Sequence, residues 1–528
     1  MEKPFFQLSS PDYPSIAAIN EVIRSILSAR RTSRRICRRR YLDTFDWRLY
    51  TAGYLFEDDR EHGRHVLRLR PLGNDAPLIE EPASHVPRYA WEVGGGLRDI
   101  LSGAIRNRAL LELGALDAVI DRYETGNAAG NTPVLLEVEG LYPDTPGIRS
   151  QNILSSLDLR PVPGRAGEAD HLVQALSGRY GFQPCGETLA HRVFGALQKS
   201  PADYFSRVYP AFDPAMPVHR ALAMALLRNL DIMEKNIPGI EEELDIEFLH
   251  DFRVAGRRSR SLIKQVRDVF PESRLAAFSG VLSWLSAVTC AHRDLDVFLL
   301  AFDAGENKLC REYANELEPL RSFLERRRRK EHARLRRLLA SKRFNRFRTN
   351  WRSYLETACE KAPRTAGAKA PVSEAASRAV WRNYRRLMHQ GCVIMTNYNF
   401  RSIHRLRKKG KQLRYLIETF RSLYAGDDLD KVIRALRKLQ NNLGGIVDMH
   451  VQRALLSSFG KAKAPGKKVS GRTRIAVDRL IASTVKQEMQ FREEFNGRFE
   501  KFSGASNQRR FRRLFHPANK QHCANGEK

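Results

Sequence analysis

Two stretches decide the architecture: Leu249-His-Asp-Phe-Arg-Val-Ala-Gly-Arg-Arg-Ser-Arg260 and Ile403-His-Arg-Leu-Arg-Lys-Lys-Gly-Lys-Gln-Leu-Arg-Tyr415. They lie 154 residues apart in one register: His250 matches His404, Arg253 matches Arg407, Arg257 matches Lys411 and Arg260 matches Arg414. Downstream, Leu275, Leu282, Leu285, Asp294 and Val297 match Leu429, Leu436, Leu439, Asp448 and Val451; upstream, Arg228 matches Arg382. An ungapped match of this length, with chemistry kept at each site, implies a duplicated helical unit with pseudo-two-fold symmetry.

His250, Arg253, Arg257, Arg260 and Lys264 are offset by 0, 3, 7, 10 and 14. On an α-helix these fall within an arc of about 80°. His404, Arg407, Lys411 and Arg414 repeat the first four offsets. The far face is apolar in both, with Leu262, Ile263 and Val266 in one and Leu413, Leu416, Ile417 and Phe420 in the other. Like charges three and four apart repel by a few tenths of a kcal/mol each. Either carboxylates from neighbouring helices or a bound polyanion must relieve that repulsion. Arg258, Lys408, Arg228 and Arg382 are further candidate contacts, with arginine offering forked donors to phosphate and lysine a point charge. A phosphate chain beside the histidines would favour imidazolium. Asp294 and Asp448 are placed to anchor the repeated arginines or to cap helix ends.

The chain has 528 residues and a formal net charge of +30. Residues 1–200 hold 25 Lys+Arg and 25 Asp+Glu, so the whole excess lies beyond them. Such an excess points to nucleic acid, an anionic membrane or polyphosphate. A hydrophobic content of 42% excludes a wholly disordered chain. Seven scattered cysteines without a Cys-x-x-Cys motif predict no disulfide framework and fit a reducing cytosol. No signal segment or span of about 18 apolar residues is expected, so the prediction is a cytoplasmic protein with no membrane partner.

Residues 1–185 predict an α+β domain with an antiparallel sheet. His65–Arg70 and Thr132–Glu139 alternate with period two, whereas 15–31 and 98–121 carry helical patterning. Residues 200–502 predict an all-α region in halves of about 200–360 and 373–502, with helices at 216–235, 244–270, 274–300, 306–340, 373–396, 400–424, 427–459 and 470–502. Lys361–Ser377 is expected to link the halves, Lys461–Arg472 to form a flexible loop, and 503–528 a flexible basic tail. Two dense basic runs remain: Arg30–Arg40, bordering a strand, and Arg326–Arg337, a nucleic-acid patch, a solvated face or a rim that guides polyphosphate.

The two histidine stretches, with His292-Arg-Asp-Leu-Asp-Val297 and Leu443–Val451 following them, resemble the CHAD (conserved histidine α-helical) domain. The resemblance covers roughly residues 200–500. It implies a helical bundle around a basic channel that binds inorganic polyphosphate without catalysis, with attachment to polyphosphate granules as a further implication. Thr289-Cys290, where the family favours Leu-Gly, and Val447, where it favours Arg, depart from the pattern. Arg40-Tyr-Leu-Asp-Thr-Phe-Asp-Trp-Arg-Leu-Tyr-Thr-Ala-Gly-Tyr54 resembles CYTH domains, the triphosphate tunnel fold. The Glu-x-Glu-x-Lys strand of that family is absent from Glu2–Ser9, so the resemblance implies a degenerate, inactive tunnel. Glu137 and Glu139 would project to one side of a strand, where they could hold Mg²⁺ or Mn²⁺ or simply form a polar face. Arg68 and Arg70 are the inward cation candidates. The competing expectations are a metal-dependent triphosphatase built on this sheet and a nucleic-acid binder using residues 326–337.

Overall fold

The computed structural model describes residues 6–10, 15–26, 29–73, 77–125, 134–143, 154–161, 166–184, 188–201, 203–204, 210–305, 307–461 and 470–517. The chain divides into two compact units, Met1–Phe205 and Ser206–Lys528.

The first unit is an antiparallel sheet of nine strands: β1 (Phe6–Ser9), β2 (Ala29–Asp43), β3 (Tyr54–Glu61), β4 (Arg64–Pro71), β5 (Ile79–Ala83), β6 (Leu111–Thr125), β7 (Val134–Pro143), β8 (Leu154–Pro161) and β9 (Gln183–Pro184). Their order is β5-β4-β3-β2-β6-β7-β8-β1-β9. Among the described residues, five α-helices accompany it: α1 (Ile16–Ile26), α2 (Arg48–Thr51), α3 (Gly95–Ile105), α4 (Ala166–Tyr180) and α5 (Leu189–Ala196). Leu189, Ala190, Val193 and Phe194 of α5 pack with Cys37, Tyr41, Leu116 and Ile120 of the sheet, so this unit runs past the expected boundary at 185.

Two expectations are corrected here. The helical patterning at 98–121 stops at Ile105, where Arg106 turns into positive φ (54°). Beyond it Leu116, Ala118 and Ile120 are buried at every second position, the signature of a strand. Likewise, 15–31 is helical only to Ile26, and the arginine run is not beside a strand but is strand β2. Its alternation puts Cys37, Arg39 and Tyr41 on the buried face.

The second unit is helical: α6 (Val218–Glu241), α7 (Ile246–Gln265), α8 (Glu272–Val288), α9 (Cys290–Asp303), α10 (Lys308–Glu312), α11 (Ala314–Leu339), α12 (Lys342–Glu360), α13 (Val372–Thr396), α14 (Phe400–Thr419), α15 (Asp427–Lys461), α16 (Gly471–Ser503) and α17 (Ala505–Phe515). The repeat is borne out to the residue. α6 and α13 begin 154 residues apart, and α7 and α14 both begin and end so. Asp245 and Asn399, also equivalent, cap α7 and α14 with their side chains. An antiparallel bridge joins Pro217 to Pro371, and the hydrogen bonds around it are reciprocal: Val218 N to Ala370 O at 2.9 Å, and Val372 N to Met216 O at 2.8 Å. The pseudo-two-fold axis passes between these prolines.

The halves differ in one long hairpin arm. α15 is continuous, whereas its counterpart breaks at Thr289 into α8 and α9. Glu272–Asp303 also corrects the expectation of no long apolar stretch, since an 18-residue window there reaches a mean hydropathy of 1.4. Leu282 and Leu285 of this arm are buried in the bundle.

The expected linker is helical from Val372 onward. The expected loop at 461–472 falls mostly outside the described residues, although Gly471 and Arg472 already belong to α16. The flexible-tail expectation is overturned for 505–515. α17 buries Phe511 against Tyr384, with centroids 3.9 Å apart, and Phe515 against Tyr424 at 4.8 Å. The basic composition of this segment concealed an amphipathic helix that closes the second half over α13, as α12 packs on α6 in the first.

Candidate polyanion site

α7 and α14 pack against each other, and Ser261 Oγ donates to the Gln412 carbonyl oxygen across the contact. His250, Arg253, Arg257, Arg260, His404, Arg407, Lys411 and Arg414 are all partly buried, while Lys264 and Lys408 are exposed. The stripes meet around Arg257 and Lys411. Burial, then the adjacent Arg407 and Arg257 guanidinium groups, push the Lys411 ammonium down to about 7. Burial also lowers Arg253 and Arg260.

Few carboxylates answer this charge. Arg407 Nη2 reaches Asp448 Oδ1 at 3.0 Å, and Arg414 Nε lies 3.7 Å from Glu418. Among the described residues, no carboxylate pairs with Arg257, Arg260 or Lys411, and the buried Nε atoms of Arg257, Arg407 and Arg414 find no acceptor. A half-buried cation without a partner is costly, and a bound anion removes that cost.

The expected anchoring by the repeated aspartates holds only in the second half. Asp448 holds Arg407, but Arg253 donates to the Ser286 carbonyl at 3.1 Å and to Thr289 Oγ1, while the Cys290 thiol takes up Asp294 at 3.4 Å. The Thr289-Cys290 departure thus re-routes one arginine. Val447, the other departure, is simply buried.

The histidines depart from a purely cationic role. Arg293, missed in the sequence, donates from Nη2 to His250 Nδ1 at 3.2 Å, and its Nη1 holds the Ile246 carbonyl at 2.7 Å. Burial, reinforced by Arg293, Arg257 and Lys411, drives His250 down to about 3 despite Glu247. The free protein therefore holds His250 as a neutral acceptor that orients Arg293. Burial and the Lys408 and Arg407 charges lower His404 as well.

Arg258 does not belong to the stripe. Eight residues from His250 place it about 80° outside the arc; it is buried, 3.9 Å from Glu418 and over the Tyr415 ring. Arg382 donates from Nη2 to the carbonyl of Gln265, the last residue of α7. Arg228 is half-buried on α6. In the run on α11, Arg328 is tied to Asp296 (2.6 Å) and Glu243 (2.8 Å), and Arg327 to Ser458 (3.1 Å). Arg326, Arg329, Lys330, Arg334, Arg336 and Arg337 are exposed.

The sheet unit gathers a second set of buried cations, and here carboxylates match them. Arg39 binds Asp59 (2.7 Å) and Glu139; Arg68 binds Glu80 (2.9 Å) and Asp59; Arg70 binds Glu57 (2.9 Å). Arg122 Nε reaches Glu137 at 2.8 Å. Glu137 and Glu139 do share the buried face, and arginines engage both. Burial opposes the ionisation of Asp59 and Glu137, yet Arg39 and Arg68 hold Asp59, and Arg160 and Arg122 hold Glu137, below the usual carboxylate range. Asp158, beside them, is pushed up to about 7 by burial and by Glu139 and Glu137. No group of three metal-ligating side chains occurs among the described residues. The carboxylates that Mg²⁺ or Mn²⁺ would need face guanidinium groups instead.

Residues 224–457 match the CHAD domain family model. Three solved structures are similar: the CHAD domain from the plant Ricinus communis (22% identity, 56% of this chain and 95% of that one, TM-score 0.48), PptA from Streptomyces chartreusis (14%, 54% and 99%, 0.41) and the putative adenylyl cyclase HpAC1 from Hippeastrum, described as having a dominant triphosphatase activity (13%, 39% and 100%, 0.28). No curated protein matches the chain. The helical unit thus contains a stretch that matches the CHAD domain, and an antiparallel sheet unit precedes it in the chain.

Proposed function

We propose that the helical domain binds inorganic polyphosphate along the α7–α14 stripes, by electrostatics and without catalysis. The observation that carries this reading is the set of partly buried, carboxylate-free cations at Arg257, Arg260 and Lys411, continued by Arg253, Arg407 and Arg414. A linear phosphate chain supplies closely spaced acceptors to successive guanidinium forks. In this reading the protein is cytoplasmic and attaches to polyphosphate granules, and nucleic acid is the weaker ligand. The sheet unit is a CYTH-like tunnel whose cations are neutralised internally, which leaves it without triphosphatase chemistry.

A competition titration of long-chain polyphosphate against DNA and RNA across a salt series tests the reading. Polyphosphate wins at physiological salt, and affinity falls steeply with salt as counterions are released. Joint charge reversal at Arg253, Arg257, Arg407 and Lys411 abolishes binding and leaves the helical circular dichroism unchanged. Equal binding of polyphosphate and DNA, or retained affinity in the reversed variant, refutes it.

A further inference from the structure

The duplication is not symmetric in charge. α13 carries Arg378, Arg382 and Arg386 at spacings of four, on one face. α14, packed against it, carries Arg405 and Lys409, again four apart. Arg382 connects this group to the end of α7 through the Gln265 carbonyl, and Arg267 follows two residues later. Arg267, Arg378, Arg386 and Arg405 are exposed, and Lys409 is partly so. Burial and the Arg386 and Arg405 charges lower the Lys409 ammonium; burial, Arg267 and Arg386 lower Arg382. Only Arg378 has a carboxylate at pairing distance among the described residues, Glu374 at 3.4 Å, and Asp268 is the other acidic group in the field of Arg382.

The first half has no such surface. The positions equivalent to Arg386, Arg405 and Lys409 are Ile232, Asp251 and Ala255, all buried. The equivalent of Arg267 is Arg421, which is paired with Asp430 at 2.8 Å. One half therefore turned these positions into core, and the other turned them into an unneutralised cationic face that starts where the α7 stripe ends.

We propose that this α13–α14 face is a second anion track, present in the second half alone, which takes the stretch of a polyphosphate chain emerging from the stripes at the Lys264 end. It rests on the polyphosphate reading and adds a chain-length dependence to it. A chain no longer than the stripe, about 30 Å for a 20-residue helix, fills the stripe alone; a longer one also engages Arg386, Arg405 and Lys409.

The test uses the full chain, a short polyphosphate about 30 Å long and a long-chain one. The triple variant Arg386→Gln/Arg405→Gln/Lys409→Gln is compared with Arg257→Glu/Lys411→Glu and wild type. The triple variant keeps short-chain affinity, loses long-chain affinity about tenfold, and shows a long-chain salt slope shallower by about 2. Unchanged long-chain affinity overturns the track, and so does equal loss for both lengths, which would place these cations in the stripe or in the fold. Loss of DNA binding with long polyphosphate unaffected reassigns the face to nucleic acid and also overturns the proposal. The stripe reading fails separately, when Arg257→Glu/Lys411→Glu binds both lengths like wild type. Thermal melts confirm folding, and the neutral glutamines avoid new attractive pairs.

Discussion

Both units bury arginines, and they do so in opposite ways. In the sheet unit, Arg39, Arg68 and Arg70 meet Asp59, Glu80, Glu139 and Glu57, so these cations are neutralised within the fold. In the helical unit, Arg257, Arg260 and Lys411 have no carboxylate partner among the described residues, and in the proposed reading a bound polyanion supplies one. The difference separates a cation used for structure from a cation held ready. Net charge alone reported it crudely: zero for residues 1–200 does not mean few cations inside the sheet, but cations and acids in equal supply.

One substitution type breaks the comparison most directly. Arg39→Met strands Glu139, leaves Asp59 with a weaker hold from Arg68, and lowers stability by about 3–5 kcal/mol, the usual cost of removing one partner of a buried pair. Arg257→Met removes an unpaired cation, so chemical denaturation finds the protein unchanged or slightly more stable while polyphosphate affinity drops. Destabilisation by both variants to the same degree erases the distinction.

A smaller effect concerns Asp158. Its folded pKa of about 7 lies above the unfolded value of about 4, so the native state binds the extra proton between them. Stability is therefore full at low pH and is lost as pH rises through about 7. Asp158→Asn raises the melting temperature at pH 8, by up to about 4 kcal/mol of stability, and changes little at pH 4. A gain that is equal at both pH values would show that the carboxyl is not held protonated.

The smallest effect sharpens the helical side. Lys411 faces Arg407, Arg414 and His404 on its own helix, Arg257 and His250 on α7, and Asp448 on α15. Near pH 7 it is partly neutral in the free protein, and a phosphate chain restores its proton. Affinity thus falls as pH rises from about 7 to 9, by at most about tenfold per unit, since one proton is linked. Lys411→Arg flattens the profile, because guanidinium stays charged. A wild-type profile that is already flat dissociates Lys411 from binding.

What was legible in the sequence follows from what is local. The 154-residue register, the helices and the two stripes could be read because helical spacing alone places His250, Arg253, Arg257 and Arg260 on one face. β6 was misread because the helical spacing of Leu101 and Ile105 was extended past Arg106, which ends α3, although Leu116, Ala118 and Ile120 alternate with period two. Arg258 could be excluded by its angle, but its partner Glu418 belongs to α14 and is visible only after folding. Matching of Arg39 by three carboxylates from two other strands, β3 and β7, is likewise a tertiary fact. The amphipathy of α17 was available in Phe511 and Phe515, hidden among arginines.

The bridge between Pro217 and Pro371 has a consequence for what the stripes can tell apart. The dyad presents matched groups at His250/His404, Arg253/Arg407, Arg257/Lys411 and Arg260/Arg414 to a strand entering from either side, whereas Lys264, matched by Glu418, and the α13–α14 face lie on one side only. Inorganic polyphosphate looks identical from both ends and loses nothing in such a site. A nucleic-acid strand, which runs 5′ to 3′, meets two opposed reading frames of equal merit and can be optimally fitted by neither. In the proposed polyphosphate reading, duplication of one helical unit favours a ligand without polarity.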